Sequence, residues 1–290
     1  MARKLLIVNP VASAVTEERV EQVAAALGEV EVRRTERSGH ATELVRADRV
    51  AQAVYVFSGD GGFNEALNGL ERDVPLGFVP GGGANVLPRA LGLPRDPVEA
   101  ARRLALGNTR RITLGRVNGR RFGFAAGLGL DAEVVRRIDA RGRSEEWGRA
   151  GNVVFAWTLI RLIAERRGRF GPALDIAGRG RAAFALVANT DPYTYAGPVP
   201  IHVAPEAQFE LGLDLVAPRL VRPLTLPRYL GYVLLGRGQQ RARDVIYGHD
   251  LDRIEIRCEP PMPLQVDGED LGDVEAASFE AERNAVRVLV

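Results

Sequence analysis

Ser58-Gly59-Asp60-Gly61-Gly62-Phe63-Asn64-Glu65-Ala66-Leu67-Asn68-Gly69-Leu70 is the stretch whose reading decides the fold. The residues before it, Ala53-Val54-Tyr55-Val56-Phe57, are apolar and β-prone, and those from Phe63 onward carry helical spacing. A buried strand, a glycine turn and a helix follow one another without a gap. Glycine has no Cβ and tolerates positive φ, so main-chain amides in such a turn can approach a phosphate closely. The helix amino terminus adds free N–H groups and a dipole that favours an anion. The stretch predicts a phosphate cradle at the carboxyl end of a strand.

Working outward, the first ~115 residues alternate strand and helix signals. Strands are predicted over 5–8, 29–34, 53–57 and 76–79, and helices over 16–27, 39–50, 86–90 and 97–106. Thr16 stands where a hydroxyl would cap the first helix. A second glycine loop, Pro80-Gly81-Gly82-Gly83-Ala84-Asn85, follows the strand ending at Val79. This rhythm implies a mostly parallel sheet covered on both faces, with ligands beyond the carboxyl ends of its strands. Past Arg110 the pattern changes to short strands, over 111–117, 120–126, 174–177, 182–188, 213–216 and 253–257, which implies an antiparallel sheet. Helices interrupt it over about 145–166 and 226–235, and a last strand over 285–290 can return to either domain.

The chain has 290 residues with a formal net charge of +2, which excludes bulk attraction to nucleic acid as an expectation. Lys4 is the sole lysine among 39 basic side chains, so a Walker loop ending in Gly-Lys-Ser/Thr is excluded. One cysteine, Cys258, excludes an intramolecular disulfide and fits a reducing, cytoplasmic compartment. No apolar run reaches the length of a membrane span, and no secretory signal is visible. His40, His202 and His249 lack metal-ligand spacing.

Five segments in order, Asn9-Pro10-Val11-Ala12-Ser13, Thr35 with Gly39-His40-Ala41, the Gly59-Asp60-Gly61 loop, Pro80 to Asn85, and Val266-Asp267-Gly268-Glu269, together resemble the diacylglycerol kinase catalytic family. That family also contains sphingosine and ceramide kinases. The resemblance implies an α/β + β protein. Residues 1–115 would form a mostly parallel nucleotide-binding domain like those of phosphofructokinase and NAD kinase, with 283–290 free to return to it. Residues 116–282 would form an antiparallel β-sandwich that binds lipid.

It further implies an ATP site lined by Asn9, Pro10, Val11, Ala12, Ser13, Thr35, Ser58, Gly59, Asp60, Gly61, Gly62, Asn64, Gly82, Gly83 and Asn85. Asp60 would hold the nucleotide Mg2+ or act as the base, Glu269 would accept the proton of the attacking hydroxyl, and Asp131 would contact the lipid head group. The implied activity is ATP-dependent phosphorylation of a lipid hydroxyl in the cleft between two domains, at the inner face of the membrane. The oligomeric state is left open, with a homodimer as one arrangement. An NAD kinase-like enzyme acting on a soluble alcohol, and a catalytically weak nucleotide or lipid sensor, are the competing readings.

Departures from the family pattern are specific. Its usual Gly-Gly-Asp-Gly-Thr reads Ser58-Gly59-Asp60-Gly61-Gly62 here, and the threonine of its second loop is missing from Gly83-Ala84. The Asp-Asp-Gly turn that holds a structural magnesium in many members reads Glu210-Leu211-Gly212, which puts that metal in doubt. By itself, Asp267-Gly268 reads as a hairpin turn. Gly127-x-Gly129-x-x-Ala132 matches a dinucleotide fingerprint only formally, because it lies outside the early β-α series. Arg219, Arg222, Arg228, Arg237, Arg241 and Arg243 alternate with leucines and tyrosines, with no acid between Asp214 and Asp244, a composition suited to anionic head groups.

Overall fold

The computed structural model describes residues 3–140 and 147–290. It divides into two compact units, Met1–Ile112 with Asn284–Val290, and Thr113–Arg283. The first contains β1 (Lys4–Val8), α1 (Glu17–Leu27), β2 (Glu31–Arg34), α2 (His40–Ala47), β3 (Ala53–Ser58), α3 (Asp60–Gly69), β4 (Leu76–Pro80), α4 (Val86–Ala90) and α5 (Pro97–Ala105). Strand β5 (Thr109–Val117) carries the chain onward. The second unit holds β6 (Arg120–Phe122), β7 (Ala125–Leu128), α6 (Leu130–Asp139), α7 (Trp147–Glu165), β8 (Leu174–Ile176), β9 (Gly180–Ala182) and β10 (Ala185–Ala188). It continues with β11 (Thr194–Ala196), β12 (Val199–Ile201), β13 (Leu213–Pro218), α8 (Leu226–Leu235), β14 (Val245–Leu251), β15 (Arg253–Val266) and β16 (Glu269–Leu289).

In the first unit, β2, β1, β3 and β4 lie side by side and parallel. The end of β16 joins β4 in the same direction, Val288 opposite Leu76. Leu5 to Val8 and Val54 to Phe57 are buried, as strands covered on both faces must be. Thr16 caps α1 as predicted, its hydroxyl accepting from the Arg19 amide at 3.2 Å. The register places Val8 opposite Arg34 and Phe57, and Ser58 opposite Pro80. All four loops that follow these strands therefore leave from one edge.

In the second unit the order is β14, β13, β10, β7, β15, β16, antiparallel throughout. Its core contains Phe122, Leu128, Val187, Leu215, Ile256 and Phe279, with the two phenyl rings edge to face at 6.3 Å. Cys258 is part of that core, and burial pushes its thiol up to about 11.

The structure departs from the predicted elements in several places, among them the unpredicted strands β11, β12 and β14 and the extension of the 253–257 strand to Val266. The strand expected over 120–126 is broken, because the amides of Gly123 and Phe124 turn toward the Asp267 carboxylate rather than a neighbouring strand. The strand expected over 182–188 breaks where the Ala183 amide donates to Pro218. Residues 130–139, for which no element was predicted, form helix α6. The short last strand is the end of β16, which starts at Glu269. The predicted helix over 145–166 is seen as α7, and residues 145 and 146 lie outside the described residues. At the Glu210–Gly212 turn, the Gly212 amide donates to Asp250 Oδ1 at 2.6 Å. Arg283 donates to the same oxygen at 2.8 Å and to Asp252 Oδ1 at 2.7 Å, so a guanidinium ties this corner together.

Candidate active site

At the loop edge of the first unit, three segments are tied by main-chain bonds. Asn9 N donates to Phe57 O at 3.0 Å, Gly81 N to Ser58 O at 2.7 Å, and Ala14 N to Gly81 O at 2.8 Å. Thr35 N donates to Val8 O at 2.9 Å, which holds Thr35 at the same edge. Asn9 Oδ1 accepts from Val11 N at 3.2 Å and shapes the turn through Pro10, Ala12 and Ser13. The two glycine loops touch backbone to backbone. A Cβ on Gly82 would lie 2.7 Å from Gly59 Cα, and one on Gly59 would lie 3.2 Å from Gly82 Cα. Side chains are excluded there by contact alone, and bare amide groups line the edge.

Helix α3 starts at Asp60 with Gly59 as its N-cap, and no side chain caps its first amides. Those of Asp60, Gly61 and Gly62 belong to the turn that leaves donors without intrahelical partners. Asp60 Oδ1 accepts from Leu87 N at 3.3 Å, linking the start of α3 to α4. In the second loop Asn85 takes φ +48 and closes a small ring, accepting from Gly82 N at 2.8 Å and donating to Gly82 O at 2.6 Å. Gly83 stays exposed at the tip. Asn64 is buried one turn into α3, with its Oδ1 and O both taken by Asn68 Nδ2, at 3.1 and 2.9 Å.

Glu65 has a role that spacing did not reveal. Its carboxylate accepts from Gly39 N at 2.8 Å and Ala41 N at 3.1 Å. It therefore fills the anion position at the start of α2, whereas no side chain caps the start of α3. His40 is structural, its Nδ1 accepting from Glu36 N at 3.1 Å.

The departure at Gly62 has a steric explanation. A Cβ on Gly62 would stand 2.2 Å from Ser58 Oγ and 2.7 Å from Ser58 Cβ. The hydroxyl side chain at 58 occupies the space that a side chain at 62 would need, so the two positions are exchanged together. Gly62→Ala is expected to destabilise the chain by about 1–3 kcal/mol through overpacking. An exposed helical glycine replaced by alanine instead gains about 1 kcal/mol. Adding Ser58→Gly removes the obstruction, so the double variant should regain most of the loss in urea unfolding. Simple addition of the two effects would show that the pair is not coupled.

In the second unit, Asp131 opens α6, and its Oδ2 accepts from Tyr193 OH at 2.7 Å and Gln265 Nε2 at 2.5 Å. Burial pushes the Asp131 carboxyl above the usual range, and the two donors only partly oppose this. Burial and the neighbouring carboxylate raise the Tyr193 hydroxyl well above its ordinary value. Tyr193 and Gln265 were not legible beforehand, because no spacing rule links them to Asp131.

Asp267 and Gly268 have φ +47 and +81, the hairpin turn between β15 and β16. The Asp267 carboxylate is buried and accepts from three amides: Gly123 at 2.6 Å, Phe124 at 3.0 Å and Ala125 at 3.1 Å. Glu269 is two residues further on, with a half-exposed carboxylate bound through Oε2 to Arg120 at 2.7 Å. Within the Asp-Gly-Glu segment, one acid is an anchor and the other faces out.

Residues 3–117 match the family model described as the diacylglycerol kinase catalytic domain. The match is confined to this segment, less than half of the chain. Among curated proteins, this chain is 30% identical over 155 residues to a Streptococcus pneumoniae protein named "Putative lipid kinase", covering 50% of this chain and 53% of that one. It is 34% identical over 110 residues to a Bacillus subtilis diacylglycerol kinase, covering 36% of each. The matches thus span about half, or about a third, of those relatives. A solved Bacillus anthracis structure, described as a "putative diacylglycerol kinase", superposes on 99% of this chain and 96% of its own with a TM-score of 0.76 at 26% identity. An Archaeoglobus fulgidus NAD kinase, solved in complex with ATP, shares the fold at a TM-score of 0.52 and 15% identity. The diacylglycerol kinase resemblance read from the loops is borne out, and so is a mixed fold with parallel amino-terminal and antiparallel carboxyl-terminal strands.

Proposed function

We propose that the protein is an ATP-dependent lipid kinase that transfers a γ-phosphoryl group to a lipid hydroxyl, such as that of diacylglycerol or a sphingoid or ceramide-like lipid. The observation that carries this reading is the contact of Gly59 with Gly82, a cradle that any Cβ would fill. It leaves the uncapped amides of α3 to meet a polyphosphate. Bound ATP and Mg2+ would supply the transferable phosphoryl group and neutralise its charge.

Asp60 fits the metal. A carboxylate in the first turn of α3 would repel a bare phosphate, and a cation held by Asp60 turns that repulsion into attraction. The amides of Gly61 and Gly62 then bind phosphate oxygens, while Asn9, Thr35 and the Gly82–Asn85 ring shape the walls. On the acceptor side, Glu269 takes the hydroxyl proton and Arg120 orients its carboxylate. Asp131, held by Tyr193 and Gln265, accepts a hydrogen bond from the lipid head group.

Incubation with γ-labelled ATP, Mg2+ and a panel of diacylglycerol, sphingosine, ceramide and NAD tests this directly. Label on a lipid is the expected result. Label on NAD alone would make the enzyme NAD kinase-like, and nucleotide binding without transfer to any acceptor would make it a sensor.

A further inference from the structure

Helix α8 buries only one side. Leu226 and Tyr229 pack against Ala183, Phe184 and Val221, and Val233 O accepts from His202 N at 2.7 Å. Flanking that face are exposed leucines: Leu230 is 58% exposed, Leu234 45% and Leu235 64%, and Leu224 just before the helix is 93% exposed. Scattered exposed leucines are ordinary, but a contiguous set on one helix marks a surface that meets an apolar phase.

The charge around this face has one sign. Asp244, the first acid after Asp214, is consumed by Arg228 and by Tyr229 OH, the latter at 2.7 Å. Arg222, Arg237, Arg241 and Arg243 are exposed and form no ion pair among the described residues. Beside the leucines lies a surface cavity of about 680 Å³, and its lining includes Arg228, Tyr232, Leu235, Arg237 and Arg241. The only carboxylate in that lining is Glu206, against three guanidinium groups. The Arg228 guanidinium also lies over the Tyr229 and Tyr232 rings, 5.2 and 5.7 Å from their centroids, which stiffens the wall.

A soluble anion would satisfy the arginines and leave the leucines in water. An apolar protein partner would cover the leucines and bury unpaired arginines at a cost. A bilayer containing anionic phospholipid answers both, with phosphates for the guanidinium groups and acyl chains for the leucines. We infer that α8 and the arginine-lined cavity at its end form a peripheral docking site for anionic phospholipid bilayers. No described helix is long and apolar enough to cross a membrane, so the contact lies in the interface plane. The inference stands apart from the chemistry proposed above, because bilayer binding needs no nucleotide.

Vesicle flotation of the full chain without nucleotide tests it, with phosphatidylcholine alone against phosphatidylcholine mixed with phosphatidylglycerol. Binding is expected only to the mixed vesicles and should weaken as salt is raised. Leu230→Asp with Leu234→Asp, and separately Arg237→Glu with Arg241→Glu, should each lower binding by at least about tenfold. These positions are exposed, so melting temperature and phosphoryl transfer to detergent-solubilised lipid should stay unchanged. Failure of the original chain to bind the mixed vesicles, or equal binding by both variants, would overturn the inference. So would dimerisation in solution that Leu230→Asp abolishes. Loss of transfer to detergent-solubilised lipid in the original chain would count against the kinase reading and leave the docking result intact.

Discussion

Asp60→Asn will lower phosphoryl transfer by about 10²–10³-fold, the range for losing one electrostatic stabiliser of the transition state, while the fold stays intact. The substitution isolates charge from shape. Asparagine keeps an oxygen where Asp60 Oδ1 accepts the Leu87 amide, so the link between α3 and α4 survives. What disappears is one negative charge at a helix amino terminus, worth about 0.3–1 kcal/mol to stability. That is too little to unfold the protein. It is decisive for holding a divalent cation or taking a proton beside a polyphosphate. The check is the initial rate of label transfer at saturating nucleotide, read beside the melting temperature. A rate within tenfold of the original, with an unchanged melting temperature, would remove Asp60 from the machinery.

The second large effect is structural. Asp267→Ala will unfold or severely weaken the second unit, because three amides, of Gly123, Phe124 and Ala125, lose the carboxylate that meets them. Each buried donor left unmade costs about 1–3 kcal/mol. The total approaches the 5–15 kcal/mol that holds an ordinary protein folded. Even the lower end corresponds to a fall of roughly 6 °C or more in melting temperature for a unit of this size. Asp267→Asn retains an acceptor oxygen and should lie between the alanine variant and the original. Thermal unfolding followed by circular dichroism measures all three. A melting temperature for Asp267→Ala within about 2 °C of the original would mean that water replaces the carboxylate at little cost.

Much of the first unit was legible in the sequence because local signals and long-range needs coincide there. Val54 to Phe57 followed by three glycines can hardly be anything but a buried parallel strand with an open turn, and Thr16 announces the helix that it caps. The second unit was less legible for physical reasons. Gly127 and Gly129 stand out in the sequence only as a formal fingerprint, yet Gly129, at φ +90, joins β7 to α6. The break between β6 and β7 is caused by a carboxylate more than 140 residues away, which no window of sequence contains. The same holds for Tyr193 and Gln265, whose meeting at Asp131 depends on the pairing of β7 with β10 and β15. The exchange of side chains between Ser58 and Gly62 was visible as a departure from the family pattern. Only the distances show the two changes to be one steric event.

Strand β16 follows the Asp267–Gly268 hairpin and ends alongside Leu76, so the chain returns to the first unit after passing through the second. The first unit is therefore not written as one uninterrupted stretch of gene, since its fifth parallel strand is translated after the second unit. A ribosome that stalls after residue 112 releases a sheet with β4 unpaired along one side, a raw edge open to aggregation. Recombination that trades residues 1–112 for a relative's would have to bring the matching residues 284–290 along. The two halves are thereby inherited as one piece.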